Sequence, residues 1–329
     1  MKKNNNKQGI VFNPQMKLLW HWDKINDWLR TGQSVPILVE ISPTNYCNAH
    51  CPWCFYAGKH SGKGIKREVM LRTLSDLASF GVKAISWTGG GEPTLHPNFN
   101  EFVKESYKLN FNQGLFTNAL SYKLNWTNPD LFEWIRVSLT EKYIKGIDKK
   151  LLREYVKSKT KIGICMNLTK ENQPQLEKIA KQTKELGVDY FQVRPALFKS
   201  YKKQPKFEIP YHLKSLETNK FKVYLSEYKF IDSTKPRSYD ICYGHYFCPA
   251  IDYNGDVNVC MYKLGKKSHI FGNLNKKRFI DIWNSERRKK IIAHSLVDKD
   301  CQVCCKNHEI NKLLYHIKHP DKSANIDFI

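Results

Sequence analysis

The chain has 329 residues, of which 41% are hydrophobic and 13% aromatic. That length suggests about two domains or one large one, and the apolar content excludes a globally disordered chain. No window approaches the roughly 18 to 20 uninterrupted apolar residues that a membrane-spanning helix needs. The charged residues 1–6 are followed by no apolar segment of the kind found in export signals, so we expect a cytoplasmic protein.

The net charge of the chain is strongly positive. Lysine and arginine total 54 residues and aspartate and glutamate 31, which gives a formal charge of +23. Such a charge attracts anions, among them nucleic acid, phosphorylated metabolites and anionic membrane surfaces. A simpler explanation is a lysine-rich proteome that uses lysine as its default surface residue, since asparagine and isoleucine are also frequent. Charge alone therefore identifies no partner.

Strand-like and helix-like segments alternate along most of the chain. Residues 1–35 form a polar tail followed by a short helix at 18–29. Six apolar segments predict strands at 36–42, 84–88, 112–117, 134–139, 161–168 and 190–194. Helical periodicity predicts helices at 67–80, 98–109, 149–158 and 173–186. This alternation predicts an α/β fold, a partial (β/α)6 TIM-like barrel of parallel strands with helices outside.

The carboxyl-terminal third of the chain has a different pattern. Residues 199–240 are irregular and rich in lysine, and we interpret them as a basic connector. Asn254 and Gly255 separate two short apolar segments, 247–252 and 257–262, which predicts a β-hairpin with a type I′ turn. A helix at about 279–293 and a cysteine-rich loop follow. We therefore expect a barrel core at 36–198 and a small Cys-rich hairpin and helix domain at 241–329.

Cysteine is the most informative residue type in this sequence. Ten cysteines in a chain without an apparent export signal indicate thiolates that bind metal or take part in chemistry, rather than a disulfide framework. Nine of them fall into two groups, at 47–54 and 242–305. Cys165 stands alone in an apolar segment, and we expect it to be a small core residue.

The first group, Cys47, Cys51 and Cys54, has the spacing Cys-x3-Cys-x2-Cys and directly follows the first predicted strand. Three thiolates within eight residues can surround one soft metal centre. A [4Fe–4S] cluster needs a ligand on each of its irons, so three cysteines leave one iron open to bind another ligand. The alternative is a zinc site completed by His50 or by a distant cysteine.

This motif, with the aromatic Trp53 just before its third cysteine, resembles the signature of the radical S-adenosylmethionine (SAM) superfamily. The resemblance implies that Cys47, Cys51 and Cys54 ligate a [4Fe–4S] cluster whose open iron chelates SAM. It also implies that SAM is reductively cleaved to a 5′-deoxyadenosyl radical, which abstracts hydrogen from an unactivated carbon. An electron donor such as flavodoxin or ferredoxin is the implied protein partner.

Glycine and polar residues at the ends of the other predicted strands agree with this family. Gly90, Gly91 and Glu92 resemble its Gly-Gly-Glu motif, which pairs with the SAM amino group. The alternative is a simple tight turn, in which glycines permit close backbone approach. Ser138 resembles the ribose-contacting serine of the family, and Arg194 could bind either the SAM carboxylate or a substrate anion. The full set of further predicted SAM contacts is Trp53, Asn118, Ser138, Asn167 and Arg194.

The second cysteine group resembles the auxiliary-cluster domains, termed SPASM and twitch, that follow the barrel in radical SAM enzymes. The resemblance lies in Cys242-x12-Gly255-x4-Cys260, a long gap, and then Cys301-x2-Cys304. A twitch domain holds one cluster and a SPASM domain two, so the six cysteines here favour a single auxiliary [4Fe–4S] cluster. The implied ligands are Cys242, Cys260, Cys301 and Cys304, with Cys248 or Cys305 as alternates. A structural zinc ribbon is the alternative.

The resemblance predicts an oxidoreductase whose auxiliary cluster accepts an electron from the substrate radical. We favour a small molecule such as a sugar, cyclitol or nucleotide, because the roughly 35 residues before the first strand are too few for a peptide-recognition domain. A peptide-modifying maturase is the alternative. A zinc-containing nucleic-acid-binding protein would explain the charge and the cysteine pairs, but not the first cysteine motif with Gly-Gly-Glu one βα unit later.

Overall fold

The computed structural model describes residues 13–56, 60–120, 128–140, 142–197, 201–294, 297 and 301–321. Its strands are β1 (Leu38–Ile41), β2 (Ala84–Trp87), β3 (Asn112–Thr117), β4 (Trp134–Ser138), β5 (Lys161–Leu168), β6 (Tyr190–Pro195), β7 (Lys222–Leu225), β8 (Ala250–Ile251), β9 (Asp256–Asn258) and β10 (Ile270–Asn273). Its α-helices are α1 (Pro14–Leu19), α2 (Trp22–Thr31), α3 (Arg67–Ser79), α4 (Phe99–Lys108), α5 (Lys149–Tyr155), α6 (Leu176–Glu185), α7 (Glu227–Asp232), α8 (Phe279–Trp283), α9 (Glu286–Ile292) and α10 (His308–Lys318). Every helix in this part of the chain is too short or too polar to span a bilayer.

The barrel is built from strands β1 to β7, which are parallel and are paired in chain order. The predicted α/β partial barrel is confirmed, with helices in most of its strand connections. The structure adds one strand to it, because β7 lies inside 199–240, where the sequence predicts an irregular connector. The four residues of β7 are too few to show a clear period among the surrounding lysines.

The cysteine-rich hairpin extends the barrel sheet at the free edge of β1. Strand β8 pairs in parallel with β1, and β9 and β10 follow as antiparallel neighbours. The hairpin turn is not type I′, because Gly255 has a φ of +79° while Asn254 is not in the left-handed region. The amide of Gly255 instead donates to the carbonyl oxygen of Asp252 at 2.9 Å, which is a type I turn followed by a left-handed glycine.

The two ends of the described chain pack together beneath the barrel. The predicted helix at 18–29 is two helices, α1 and α2, and the predicted helix at 279–293 is likewise divided into α8 and α9. Trp28 of α2 is fully buried against the rings of Tyr243, Tyr246 and Phe247, with Leu314 of α10 in the same cluster. This second core joins the amino-terminal helices to the cysteine-rich region.

Large aromatic side chains enter the barrel where the neighbouring strand carries glycine. Gly114 on β3 is the register partner of Trp134 on β4, and Gly163 on β5 is the partner of Tyr190 on β6. A Cβ atom on Gly114 would lie 2.1 Å from the indole of Trp134, and one on Gly163 would lie 2.0 Å from the ring of Tyr190. The guanidinium of Arg136 lies over the Trp134 ring at 5.2 Å.

We predict that Gly163→Ala lowers the free energy of unfolding by about 1 to 3 kcal/mol, because the added methyl group overlaps the Tyr190 ring. Anaerobic chemical denaturation measures the change. The double variant Gly163→Ala, Tyr190→Ala should lose less than the sum of the two single losses, since the methyl group then has room. Strict additivity of the two losses would contradict this packing.

Candidate functional site

The first cysteine loop leaves the carboxyl end of β1 and is held on both sides by hydrogen bonds. The amide of Glu92 donates to the carbonyl oxygen of Tyr46 at 2.8 Å. On the other side, the amide of Asn45 donates to the carbonyl oxygen of Lys63 at 2.9 Å, and the amide of Lys63 donates to Asn45 Oδ1 at 2.8 Å. The partly buried cysteines that this loop carries are Cys47, Cys51 and Cys54.

The glycine run after β2 lies directly against this loop. A Cβ atom on Gly91 would lie 2.4 Å from the carbonyl oxygen of Tyr46, and one on Gly90 would lie 2.8 Å from the ring of Tyr56. Gly89 has a φ of +155°, and its Cβ would lie 2.3 Å from Ser42 Oγ. Close packing between the two loops therefore requires these glycines, independently of any contact they make with a ligand.

The carboxylate of Glu92 is buried and accepts hydrogen bonds from three residues. Thr94 donates to Oε1 from its hydroxyl at 2.6 Å and from its amide at 3.3 Å, and the hydroxyl of Thr117 donates to the same oxygen at 2.8 Å. The amide of Asn118 donates to Oε2 at 2.7 Å. Burial raises the pKa of Glu92, and these donors oppose that shift. The carboxylate thus joins the end of β2 to the end of β3.

Asn118 extends this network to the cysteine loop. Its Nδ2 donates to Asn48 Oδ1 at 2.8 Å and lies 3.7 Å from the sulfur of Cys47. Burial raises the pKa of the Cys47 thiol, whereas the amide hydrogen bonds from Ala49 and Asn118 favour the thiolate. The side chain of Asn118 is therefore placed beside the first cysteine sulfur.

A cavity of about 810 Å³ occupies the barrel interior beside the cysteine loop, and this volume is typical of a ligand site. The predicted site residues that line it are Cys47, Cys51, Trp53, Cys54, Gly91, Glu92, Asn118, Ser138, Asn167 and Arg194. Among the predicted residues of the SAM site, Gly90 does not line it, since a Cβ at this position would meet the ring of Tyr56. The strand ends thus converge on one cavity, as expected for parallel strands.

Arg194 is oriented by its register partner across the sheet. Asn167 on β5 and Arg194 on β6 are paired, and Arg194 Nε donates to Asn167 Oδ1 at 2.8 Å. Cys165, two residues before Asn167, is fully buried beside Ser138 in the sheet. The amide oxygen of Asn167 is therefore directed at the guanidinium, while both side chains remain on the wall of the cavity.

Four thiols of the second cysteine group lie close enough to interact electrostatically. Burial raises the pKa of the Cys260 thiol well above its usual range, and the neighbouring thiols of Cys242, Cys305 and Cys301 raise it further. Burial and the nearby Cys305 raise the pKa of Cys242 to about 12. Such a set of buried thiols holds its protons unless a metal centre replaces them.

The remaining two cysteines of this group lie near Cys305 and also contact groups outside the cysteine cluster. The thiol of Cys304 donates to the carbonyl oxygen of Tyr228 at 3.6 Å, and Cys304 has a φ of +47°. The sulfur of Cys248 lies 3.6 Å from the ammonium of Lys306 and lines the barrel cavity. Cys305, predicted as an alternate ligand, lies near the thiols of Cys242, Cys260 and Cys301, and Cys304 lies near Cys305 while its thiol donates to the carbonyl oxygen of Tyr228.

The spacing of the sulfurs bears on the zinc alternative. Tetrahedral zinc with bonds of about 2.3 Å holds its sulfurs about 3.8 Å apart. Within the described ranges, the one group of three potential metal ligands lying within 4.8 Å of one another is Asp232, His308 and Glu309, which contains no cysteine. In neither cysteine group do three sulfurs lie within 4.8 Å of one another among the described residues.

Two protein-family models match the chain over these same regions. The radical SAM superfamily model matches residues 41–199, and the SPASM model, described as an iron-sulfur cluster-binding domain, matches residues 242–306. The chain belongs to the radical SAM superfamily. Its cofactors are accordingly SAM, the [4Fe–4S] cluster that binds SAM, and auxiliary iron–sulfur chemistry in the carboxyl-terminal region.

Several known proteins of different substrate classes resemble this radical SAM chain. A tungsten-containing aldehyde ferredoxin oxidoreductase cofactor-modifying protein of Pyrococcus furiosus is 26% identical over 304 residues, covering 79% of this chain and 85% of that protein. A probable GTP 3′,8-cyclase of Saccharolobus islandicus is 28% identical over 170 residues, 46% of this chain and 54% of that protein. The crystal structure of Streptococcus suis SuiB bound to S-adenosylmethionine aligns with a TM-score of 0.61 at 19% identity, over 84% of this chain and 72% of that one, and so shows a shared fold.

The carboxyl-terminal cysteine loop of this radical SAM chain contacts both edges of the barrel. The ammonium of Lys306 pairs with Glu40 of β1 at 2.8 Å. At the opposite edge, Lys229 of α7 donates to the carbonyl oxygen of Cys304 at 2.9 Å, and Asp232 pairs with Lys312 at 3.0 Å. Sequence reasoning missed these residues. The position of Lys306 directly after Cys305 is a signal that could have identified it as a site residue. Lys229 has no such signal, because it is one of many lysines in 199–240.

We predict that Cys305→Ala lowers the iron content of anaerobically reconstituted protein from about eight to about four atoms per chain, because one four-iron cluster loses a ligand. Cys304→Ala should retain about eight, since that thiol faces the carbonyl oxygen of Tyr228. Iron and sulfide analysis measures both. A full iron content in Cys305→Ala, together with a loss of iron in Cys304→Ala, would instead identify Cys304 as the ligand, as the sequence predicts.

Proposed function

We propose that this radical SAM enzyme oxidises a small molecule held in the barrel lumen, with an auxiliary cluster as electron acceptor. The observation that carries the proposal is the single cavity lined both by the first cysteine loop and by Cys248, Gln302 and Lys306 of the carboxyl-terminal region. A substrate in this cavity lies between the two cysteine groups. It can therefore react at one and transfer an electron to the other.

The first site fits a [4Fe–4S] cluster with one open iron, because three thiols border a cavity large enough for SAM. With cluster and SAM bound, this site supplies a 5′-deoxyadenosyl radical. The chain's own contribution is to position the reactants. Asn118 fixes the cysteine loop, and the predicted SAM contacts Trp53, Ser138 and Asn167 orient the cofactor.

The second site fits a cluster held by four thiols, and we assign Cys242, Cys260, Cys301 and Cys305 as its ligands. An aromatic contact links it to the first site. The amide of Tyr262 donates to the thiol of Cys260, and the Tyr262 ring lies 4.9 Å from the ring of Phe55, which follows Cys54. This contact favours an acceptor role over a purely structural one, because it runs along the wall of the same cavity.

Closure of the barrel supports radical chemistry on a small substrate. The Lys306–Glu40 and Lys312–Asp232 ion pairs hold the cysteine loop across the open side of the strand array. Exclusion of water from the lumen protects a radical intermediate from side reactions. We further propose that residues 36–198 together with β7 form the radical SAM core and that 241–329 form the auxiliary region, with α1 and α2 preceding the core.

The relatives support two substrate classes. A small molecule is favoured by the GTP 3′,8-cyclase and the cofactor-modifying protein among the relatives, and by the enclosed lumen. A peptide is the second candidate, because SuiB shares the fold and a crystal structure shows it bound to precursor peptide SuiA. We propose a reducing, cytoplasmic setting with flavodoxin or ferredoxin as the electron donor, and we do not favour a nucleic-acid partner.

We predict that the reconstituted protein forms 5′-deoxyadenosine when it is incubated anaerobically with SAM and dithionite. Cys47→Ala should abolish product, because the SAM-binding cluster loses one of its three ligands. Cys260→Ala should retain SAM cleavage but fail to yield oxidised substrate. Chromatography with mass detection measures both products.

The matched control is Cys165→Ala, a buried cysteine in neither group, which should keep SAM cleavage. Absence of 5′-deoxyadenosine from protein with a full iron content, both without substrate and with candidate substrates, would refute the proposed chemistry. Loss of SAM cleavage in Cys260→Ala would instead refute an acceptor role for the second site.

A further inference from the structure

Two cations, one half-buried and one buried, lie on the wall of the lumen without a carboxylate partner among the described residues. Arg194 of β6 and Lys229 of α7 both line the cavity, and Lys229 is only 6% exposed. Neither forms an ion pair with any aspartate or glutamate that the structure describes. Lys306, on the same cavity wall, differs because it pairs with Glu40 at 2.8 Å.

Arg194 and Lys229 are close enough to each other for their charges to interact. Burial and, after it, the positive charge of Arg194 lower the pKa of Lys229 to about 8. The titratable groups that raise the pKa of Arg194 are the thiol of Cys165 and the phenols of Tyr262 and Tyr228. Each cation has one neutral acceptor, Asn167 Oδ1 for Arg194 and the carbonyl oxygen of Cys304 for Lys229.

Buried charges are normally paired, because transfer of an unpaired charge out of water is costly. Two like charges in one wall of a cavity increase that cost, so the arrangement is favourable when an anion lies between them. The guanidinium has five donors in a planar fork, of which the bond to Asn167 uses one. That fork matches the oxygens of phosphate and carboxylate, and the ammonium adds a point charge.

We propose that Arg194 and Lys229 form an anion subsite that binds a phosphate or carboxylate group of the substrate. This assignment rests on the proposed function, since it names the kind of molecule that the same lumen accepts. The subsite lies between the two cysteine groups, because Tyr262 neighbours Arg194 and packs against Phe55 at 4.9 Å. An anchored anion holds the rest of the substrate in a fixed position relative to both sites.

Inorganic phosphate is the probe for this subsite. The holoenzyme, reduced with dithionite, contains paramagnetic clusters that accelerate the ³¹P relaxation of phosphate bound in the lumen. We expect saturable relaxation enhancement with the wild-type protein. Arg194→Gln or Lys229→Gln should weaken phosphate affinity by about tenfold or more, the usual effect of losing a charge-assisted hydrogen bond.

The matched control is Lys276→Gln, which lies in a basic surface pocket with Arg72, Lys277 and Arg278. It removes a positive charge of the same kind outside the lumen and should leave the enhancement unchanged. Unchanged affinity in Arg194→Gln and Lys229→Gln, or equal losses in all three variants, would overturn the subsite. If Arg194→Gln does not fold, Lys229→Gln still provides the test, because Lys229 lies on a different element, helix α7.

Two further results would overturn the assignment to substrate. S-adenosylhomocysteine carries the same amino-acid carboxylate as SAM and is not cleaved, so competitive displacement of phosphate by it would assign the cations to the cofactor. A changed reduction potential of the auxiliary cluster in Lys229→Gln, with phosphate affinity intact, would assign Lys229 to the cluster thiolates nearby.

Two measurements on the wild-type protein distinguish failure of the anion subsite from failure of the proposed function. Formation of 5′-deoxyadenosine without ³¹P relaxation enhancement refutes the anion subsite alone. Saturable phosphate binding in the lumen without 5′-deoxyadenosine in any reconstituted sample refutes the radical chemistry alone.

Discussion

The buried carboxylate of Glu92 is the interaction on which the arrangement of the site depends. An isolated carboxylate in the interior costs several kcal/mol, and here donors from Thr94, Thr117 and Asn118 offset that cost. Thr94 follows β2, whereas Thr117 and Asn118 lie at the end of β3, so these donors reach the carboxylate together only when the two strand ends are adjacent. The Glu92 amide adds a bond to Tyr46 of the cysteine loop, so one residue holds three segments in register. The family resemblance assigns Glu92 to the SAM amino group, whereas its carboxylate is engaged chiefly with the chain itself.

Closure of the barrel follows from charge pairing rather than from sheet formation. Strands β7 and β10 are the two outer strands of the sheet, so hydrogen bonding between strands leaves the barrel open. The carboxyl-terminal loop lies between the two edges and is attached to β1 through Glu40 and to α7 through Asp232 and Lys229. The same loop carries Cys301 and Cys305. Binding of a cluster by these cysteines therefore also fixes one wall of the cavity, and this links the fold of the auxiliary region to substrate binding.

The barrel and the first cysteine site could be predicted from the sequence because their signals are local. The strands β1 to β6 lie in apolar segments of the sequence, whereas β7 lies among lysines, and Cys47, Cys51 and Cys54 lie within eight residues. The choice between Cys304 and Cys305 could not be predicted. Our proposal of Cys305 depends on the left-handed backbone at Cys304 and on the proximity of Cys305 to Cys260, and neither feature can be read from the sequence. The prediction of the hairpin turn type was wrong for a similar reason, because the conformation of Asn254 depends on the hydrogen bond that its amide donates to Asp252.

The proposed radical chemistry requires that three thiolates hold an iron–sulfur cluster whose open iron binds SAM. Electron paramagnetic resonance of the dithionite-reduced protein tests it most directly, in a variant that lacks Cys260 and Cys305 and so retains only the first cluster. We expect a [4Fe–4S]⁺ signal whose g-values change when SAM is added and do not change with free methionine. A signal indifferent to SAM, or zinc in place of iron at these three cysteines, would contradict it.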